Sequence, residues 1–453
     1  MAVLYLEALA GIALSLSILM GLARLVQQRT GNSGWVDTIR TFSVGLVGAG
    51  RAVAGSGRCA EHTAMAGGGM VGAARRAHRG ANSRDIGRSP LWRLCRRMGR
   101  RFAAATTKGS GHMSFVSRII GTAERVPLPD LVIRAAIQRL CSRTATRLAS
   151  GNAENDATFA QEMAARAIAE HTDAANTQHY EVPAAFFAHV LGPNRKYSSC
   201  YYKEPESTLQ EAEEEALRQT VEHADLADGQ SILELGCGWG SLSLWMARQF
   251  PNSDITAVSN SHSQRIYIEG EAASRGLKNL RVITKDMNAF APERKCDRVV
   301  SVEMFEHMMN WRELMTRVKS WLAPDGRFFM HIFTHRSGAY LFDRADRDDW
   351  IAQHFFTGGV MPSHHLIRQY ADLFEVEKEW RWSGTHYQRT ALDWLGNFDT
   401  HRDEIEALLR TVYGNDTALW MRRWRWFFLA TAGLFGYADG SEWGVSHYRM
   451  KAA

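Results

Sequence analysis

From residue 113 onward the apolar positions fall into two alternating rhythms. Over 131–148 and 156–171 they recur every three or four residues, the spacing that lays one apolar stripe along a helix. A third such stretch, 208–223, runs into the turn Ala227-Asp228-Gly229. Short apolar runs follow at 231–235, 254–259, 280–285, 297–302 and 327–333, with helices expected up to Phe250 and over 263–275. Strands alternating with helices predict a doubly wound α/β sheet with right-handed crossovers. Further helical periods at 392–409 and 417–429 predict a lid over the strand ends, where ligands bind in such folds.

The first 112 residues read differently. Residues 3–25 are apolar apart from Glu7 and Arg24, about long enough to cross a bilayer, and lack the basic leader of a secretory signal. A second apolar stretch, 36–49, is short and carries Arg40. From 51 to 112 the chain is rich in Arg, Gly and Ala with no sustained period, which suits either a basic tether or a linker. Ser33-Gly34-Trp35-Val36-Asp37-Thr38-Ile39 resembles the start of a multi-pass membrane family related to steroid reductases, and the likeness then stops. Out-of-frame translation would read this way, so the native enzyme is expected to begin at Met113, after the purine-rich codons of Lys108-Gly109. The expected organisation is an apolar segment at 1–50, a linker at 51–112 that need not be native, a helical N-terminal region at 113–225 and a catalytic domain at 226–453.

Composition narrows the function. At 453 residues, 45% hydrophobic and 23% charged, the chain can bury a large core. The net charge of +6 gathers mostly before Lys108, which argues against a nucleic-acid partner for the catalytic half. Six cysteines, none in CxxC spacing, predict neither a metal site nor a disulfide framework and suit a reducing, cytoplasmic setting, peripheral to or anchored at the inner face of a membrane.

The chemistry begins after the first predicted strand. Glu234-Leu235-Gly236-Cys237-Gly238-Trp239-Gly240 is a glycine-rich turn whose backbone can approach a ligand closely, with Glu234 able to hold an ammonium group. A dinucleotide site would want an acidic residue at the end of the second strand, where Ser259-Asn260-Ser261 stands instead. With Lys285-Asp286-Met287 after the third strand, the pattern resembles class I, Rossmann-like methyltransferases, in which a carboxylate at that place receives the adenine amino group.

Longer motifs sharpen the likeness. Ser301-Val302-Glu303-Met304-Phe305-Glu306-His307-Met308 and His179-Tyr180-Glu181-Val182-Pro183 resemble the cyclopropane-fatty-acyl-phospholipid synthase and mycolic acid cyclopropane synthase superfamily, nearest to its coclaurine N-methyltransferase-like branch. Lys196-Tyr197-Ser198-Ser199-Cys200-Tyr201-Tyr202, the segment 355–363 and Leu434-Phe435-Gly436-Tyr437 support it. The resemblance implies a seven-stranded sheet and S-adenosyl-L-methionine as cofactor. Tyr197 and Ser198 would reach its methionine end, Gly236 and Gly238 would lie against it, Asn260 and Gln264 would hold the ribose, and Asp286, beside Met287, would take the adenine. Each of these could instead be a turn or packing residue.

Methyl transfer from a sulfonium is an in-line displacement, so the protein must align the acceptor and manage the proton it loses. Glu303, Glu306 and His307 suit that task; their spacing on a short helical stretch would put Glu303 on one face with the other two. In the synthases a bound bicarbonate serves as base, beside a cysteine where this chain has Ser199. Glu306, His331 and Tyr387 stand where the family's other bicarbonate contacts do, so that group stays in doubt. Synthases also commonly have glycine where this chain has Glu303, and the amine-methylating branch has glutamate.

The expected acceptor is therefore an amine, with an unsaturated phospholipid acyl chain as the alternative. A non-catalytic lipid-binding protein is the reading of another class. A membrane surface and a second copy of the chain are candidate partners. Tyr340, Phe342, Trp350, Phe355, Phe356, Trp380, Trp382 and Trp394 could surround a cationic centre, although most are expected in the core. Arg422, Arg423 and Arg425, interleaved with Trp420, Trp424 and Trp426, form either a lipid-facing patch or a solvated helix face.

Overall fold

A computed structural model describes residues 121, 123–149, 155–170, 182–347 and 349–453, all within one compact unit spanning 112–453. The apolar and basic stretches expected at 1–50 and 51–112, and His179-Tyr180-Glu181, lie outside the described residues.

The N-terminal region is helical. Helix α1 spans Asp130–Ala149 and α2 spans Asp156–Ala164. The second is shorter than the periodicity over 156–171 predicts, because the chain beyond it turns to pair with the catalytic domain. Asn310 Nδ2 donates to the carbonyls of Ala164 (3.1 Å) and Arg166 (2.8 Å), and the Met309 amide donates to Ile168 (2.6 Å). Helix α3 (Ala184–Val190) carries the buried Phe186 and Phe187, and α4 (Leu209–Ala224) opens on a reciprocal capping box between Thr208 and Glu211.

The sheet follows: β1 (Ser231–Leu235), α5 (Ser241–Gln249), β2 (Asp254–Ser259), α6 (His262–Ser274), β3 (Leu280–Thr284), β4 (Cys296–Val302), α7 (Trp311–Trp321) and β5 (Leu322–His335). Two antiparallel strands complete it, β8 (Phe374–Ser383) and β9 (Trp443–Ala452), in the order β3-β2-β1-β4-β5-β9-β8. Neither closing strand shows as a strand in the apolar pattern. β9 is buried along nearly its whole length, so it has no alternation to display, and the edge strand β8 reads as mostly charged. A short hairpin, β6 (Tyr340–Leu341) with β7 (Val360–Met361), flanks helix α8 (Trp350–His354).

The lid is built from α9 (Gly384–Thr400), α10 (Arg402–Tyr413) and α11 (Thr417–Phe435). The single helical period at 392–409 is two helices, parted at His401. Phe186, Phe187, Trp394, Trp424 and Phe428 are buried together between lid, α3 and α1, each contributing about 1.5–3 kcal/mol by leaving water. The arginines of α11 do not form a lipid-facing patch. Arg423 pairs with Glu124 at 3.0 Å, Arg425 with both Asp130 and Asp399, and Arg422 donates to the Glu124 carbonyl, so they tie the lid to the N-terminal region. Among the described residues no helix is long and apolar enough to cross a membrane.

Candidate active site

A cavity of about 1180 Å³ opens over the carboxyl ends of β1, β2 and β4 and runs beneath the lid. Its two halves are built differently.

One half is made largely of backbone. After Glu234 and Leu235 the chain turns through Gly236 at φ +80° and Gly238 at φ +51°, conformations that glycine adopts without strain. A Cβ on Gly236 would lie 2.5 Å from the Met304 side chain, whereas one on Gly238 would meet nothing within 4 Å, so there the loop faces open space. Gly240 does not line the cavity. A Cβ on it would strike Ile268 at 2.6 Å, which makes it the glycine of close α5–α6 approach rather than of ligand contact. Asn260, Gln264, Asp286 and Met287 line the same half, and Gln264 is fixed by the Ser259 hydroxyl donating to its Oε1 at 2.7 Å. Glu234 is buried beneath the turn with the Ser243 hydroxyl donating to it, and burial pushes its carboxyl up to about 7.

The other half is made of side chains from distant segments. Glu303 follows β4 in the left-handed region, φ +46°, ahead of the short 3-10 turn Phe305–His307. The predicted common helical face is therefore absent, since Glu303 precedes the turn and the three side chains part company. Glu303 and His307 line the cavity, with the His307 ring 4.4 Å from that of Phe356. Glu306 does not line it. Wholly buried, it accepts from the Phe333 amide at 2.7 Å while its Oε2 finds no partner among the described residues. Burial, with Glu303 nearby, holds this carboxyl well above the usual range.

Around Glu303 two donors and one imidazole nitrogen converge. The Ser199 amide donates to Oε1 at 2.9 Å, His331 Nε2 lies 3.2 Å from the same oxygen, and the Tyr387 hydroxyl donates to Oε2 at 2.7 Å. Burial raises the Glu303 carboxyl, against the pull of Lys196 and of the bonds from Ser199 and Tyr387. His331 is wholly buried behind the cavity wall, and burial holds it well below its usual range, hence neutral. Tyr387 and Tyr197 line the cavity with Ser198.

Lys196 is given no role by the sequence reading. It is buried with Nζ 2.5 Å from Ser198 Oγ and 2.7 Å from the Ser199 carbonyl, so it fixes the segment that presents the Ser199 amide to Glu303. Its place in Lys196-Tyr197-Ser198-Ser199 was visible; its burial was not. Of the candidate aromatic cage, Tyr340, Phe342, Trp350, Phe356 and Trp394 line the cavity, Phe355 is core, and Trp380 and Trp382 pack against histidines behind it.

Sheet order, the glycine turn at the point where the strand order reverses and the ligand-sized cavity define a class I methyltransferase. The chain belongs to the mycolic acid cyclopropane synthetase family, whose description matches residues 169–437. It is 37% identical over 289 residues to an (S)-coclaurine N-methyltransferase of Thalictrum flavum subsp. glaucum, covering 63% of this chain and 80% of that one. A crystal structure of coclaurine N-methyltransferase bound to N-methylheliamine and SAH superposes with a TM-score of 0.71 at 32% identity, over 75% of this chain and all of that one. Cyclopropane-fatty-acyl-phospholipid synthase of Escherichia coli (strain K12) is 27% identical over 270 residues, 59% of this chain and 66% of the synthase. The protein is an S-adenosylmethionine-dependent methyltransferase.

Proposed function

We propose that this methyltransferase alkylates the nitrogen of an amine carried on an apolar, aromatic body, and that Glu303 receives the proton the nitrogen gives up. The observation that carries the reading is the seat of the Glu303 carboxylate. It accepts from the Ser199 amide and the Tyr387 hydroxyl and lies against His331, three of the places that the family likeness gives to bicarbonate. With a protein carboxylate filling that donor set, the residues present do not fit a bound bicarbonate. A carboxylate fixed there is a permanent base, which suits an acceptor that must lose a proton at every turnover.

Residues of the backbone-built half fit the cofactor. The open floor at Gly238, the buried Glu234 and the carboxylate of Asp286 offer, in turn, room for close approach, a partner for an ammonium and an acceptor for an adenine amino group. Tyr197 and Ser198 would face its methionine end, with Asn260 and Gln264 at the ribose and Met287 beside the adenine. S-adenosylmethionine, when bound, supplies an electrophilic methyl group on a sulfonium. The chain's own contribution is to hold the nitrogen in line, to exclude water with the lid, and to take the proton at Glu303 with His307 orienting the amine.

The aromatic lining from Tyr340, Phe342, Trp350 and Phe356 offers a flat apolar wall to the acceptor's body and cation–π support to a nitrogen that becomes positive. Purified protein given methyl-labelled S-adenosylmethionine together with heliamine and vesicles of unsaturated phospholipid tests the assignment. Label is expected in the amine; label confined to acyl chains would overturn it.

A further inference from the structure

Behind Glu303, on the side away from the cavity, three histidines lead toward the protein surface. His331 of β5 and His447 of β9 are directly opposed across the antiparallel pair, so both side chains leave the same face of the sheet. Their rings lie 4.5 Å apart, tilted by 31°. Beyond them, Nδ1 of His447 lies 2.7 Å from Nδ1 of His223, in the last turn of α4, which packs over β5 and β9. A contact that short between two imidazole nitrogens holds one proton shared between a donor and an acceptor. The row runs from the wholly buried His331 and His447 to His223, which is 8% exposed. Trp380 covers the His223 ring face to face at 4.0 Å and 10°.

Among the described residues, two nitrogens in this row have no hydrogen-bond partner: His331 Nδ1 and His447 Nε2, both buried. Packing alone gives no reason to bury polar nitrogens unpaired, and phenylalanine would serve better. The step between these two tilted rings has no hydrogen bond in the resting geometry.

We propose that His331, His447 and His223 form a relay that carries the acceptor's proton from Glu303 through the back of the site to solvent. The inference rests on the amine-methylating reading above. As the nitrogen lone pair forms the N–CH3 bond, the S–CH3 bond breaks with its electron pair left on sulfur, and the nitrogen holds one proton in excess. That proton passes to the Glu303 carboxylate and on to His331 Nε2. Each imidazole then takes a proton on one nitrogen and yields one from the other, and His223 releases it to water.

The surroundings suit a relay of neutral rings. Burial, with Lys196 and His223 near, lowers His331; burial, with His331, His223 and Lys196 near, lowers His447. Burial brings His223 to about 4, with Glu222 opposing and Arg218 and Arg449 adding to the effect. Neutral rings do not trap the proton, and each can accept and donate at once. Lys196, Glu306 and Tyr387 face Glu303 itself, and none of them continues the row outward.

The test uses the full chain with heliamine as acceptor, from about pH 6 to about pH 9, with and without added imidazole, in His223→Phe and His447→Gln. With the exit broken, kcat at neutral pH is expected to fall about tenfold or more, within the range a positioned proton carrier contributes. Raising the pH should restore it in both, and imidazole should restore it in His223→Phe, while S-adenosylmethionine affinity, measured by calorimetry, stays at the wild-type value. Wild-type pH profiles in both variants would overturn the relay and leave the amine reading standing. A loss equal at all pH values and unmoved by imidazole would make the row a packing feature and overturn it as well. Failure of the unaltered protein to methylate heliamine would instead remove the amine reading, and the relay with it.

Discussion

The two halves of the cavity solve their tasks with different parts of the chain. The cofactor half is backbone turned by Gly236 and Gly238 directly after one strand, and the residues beside it follow the ends of β2 and β3. The acceptor half has no local unit. Ser199 lies 104 residues from Glu303, and Tyr387 lies 84 from it on the other side, brought in by the lid. A site made of backbone tolerates little change of shape but is indifferent to most side chains. A site made of converging side chains can exchange one chemistry for another at a single position, as we propose for Glu303.

The sharpest way to break that contrast is to change each half and ask whether the losses separate. Glu303→Gln keeps the volume and removes the base, so kcat is expected to fall about a hundredfold to ten-thousandfold with cofactor affinity held. Kinetics and calorimetry on the same preparation decide it; a loss of affinity equal to the loss of rate would join the halves. Glu306→Gln should cost far less, because that carboxyl is buried behind the wall and does not line the cavity.

Gly236→Val should do the reverse. Its Cβ would collide with Met304, and a β-branched residue at φ +80° adds about 1–2 kcal/mol of strain, so S-adenosylmethionine should bind at least about tenfold more weakly. Wild-type affinity in a folded variant would remove the turn from the cofactor's seat.

The smallest effect is on pH. Burial raises Glu234 to about 7, and a bound ammonium would favour its ionised form, so binding releases a proton below that point. Affinity should therefore weaken as pH falls through about 7, by roughly tenfold or less between pH 8 and pH 6. Calorimetry in buffers of different ionisation enthalpy reads the proton directly, and uptake rather than release would contradict the assignment.

The same contrast explains what the chain discloses before folding. The parallel strands, the first two helices between them and the glycine turn are local patterns, and they stand within a residue or so of expectation; β5 extends further at both ends, and α7, between β4 and β5, is a helix the sequence reading does not name. β8 and β9 escape because one is a charged edge and the other is buried on both faces. Motif likeness could find Glu303, His331 and Tyr387 but not their arrangement, and spacing misled for Glu306, since a left-handed residue at Glu303 breaks the helical face. Lys196 and His447 were out of reach, as nothing in a sequence marks a lysine as buried beside a carboxylate or a strand histidine as buried among other histidines.

The central claim is that Glu303 stands in for a diffusible base, and the most direct test is to methylate heliamine in carbon-dioxide-free buffer with and without added bicarbonate, using the unaltered protein and Glu303→Gly. Turnover of the unaltered protein should ignore bicarbonate, and Glu303→Gly, with the Ser199 amide, the His331 ring and the Tyr387 hydroxyl uncovered, should be slow without it and faster with it. Stimulation of the unaltered protein by bicarbonate would contradict the account, because the seat would then belong to the ion and not to Glu303.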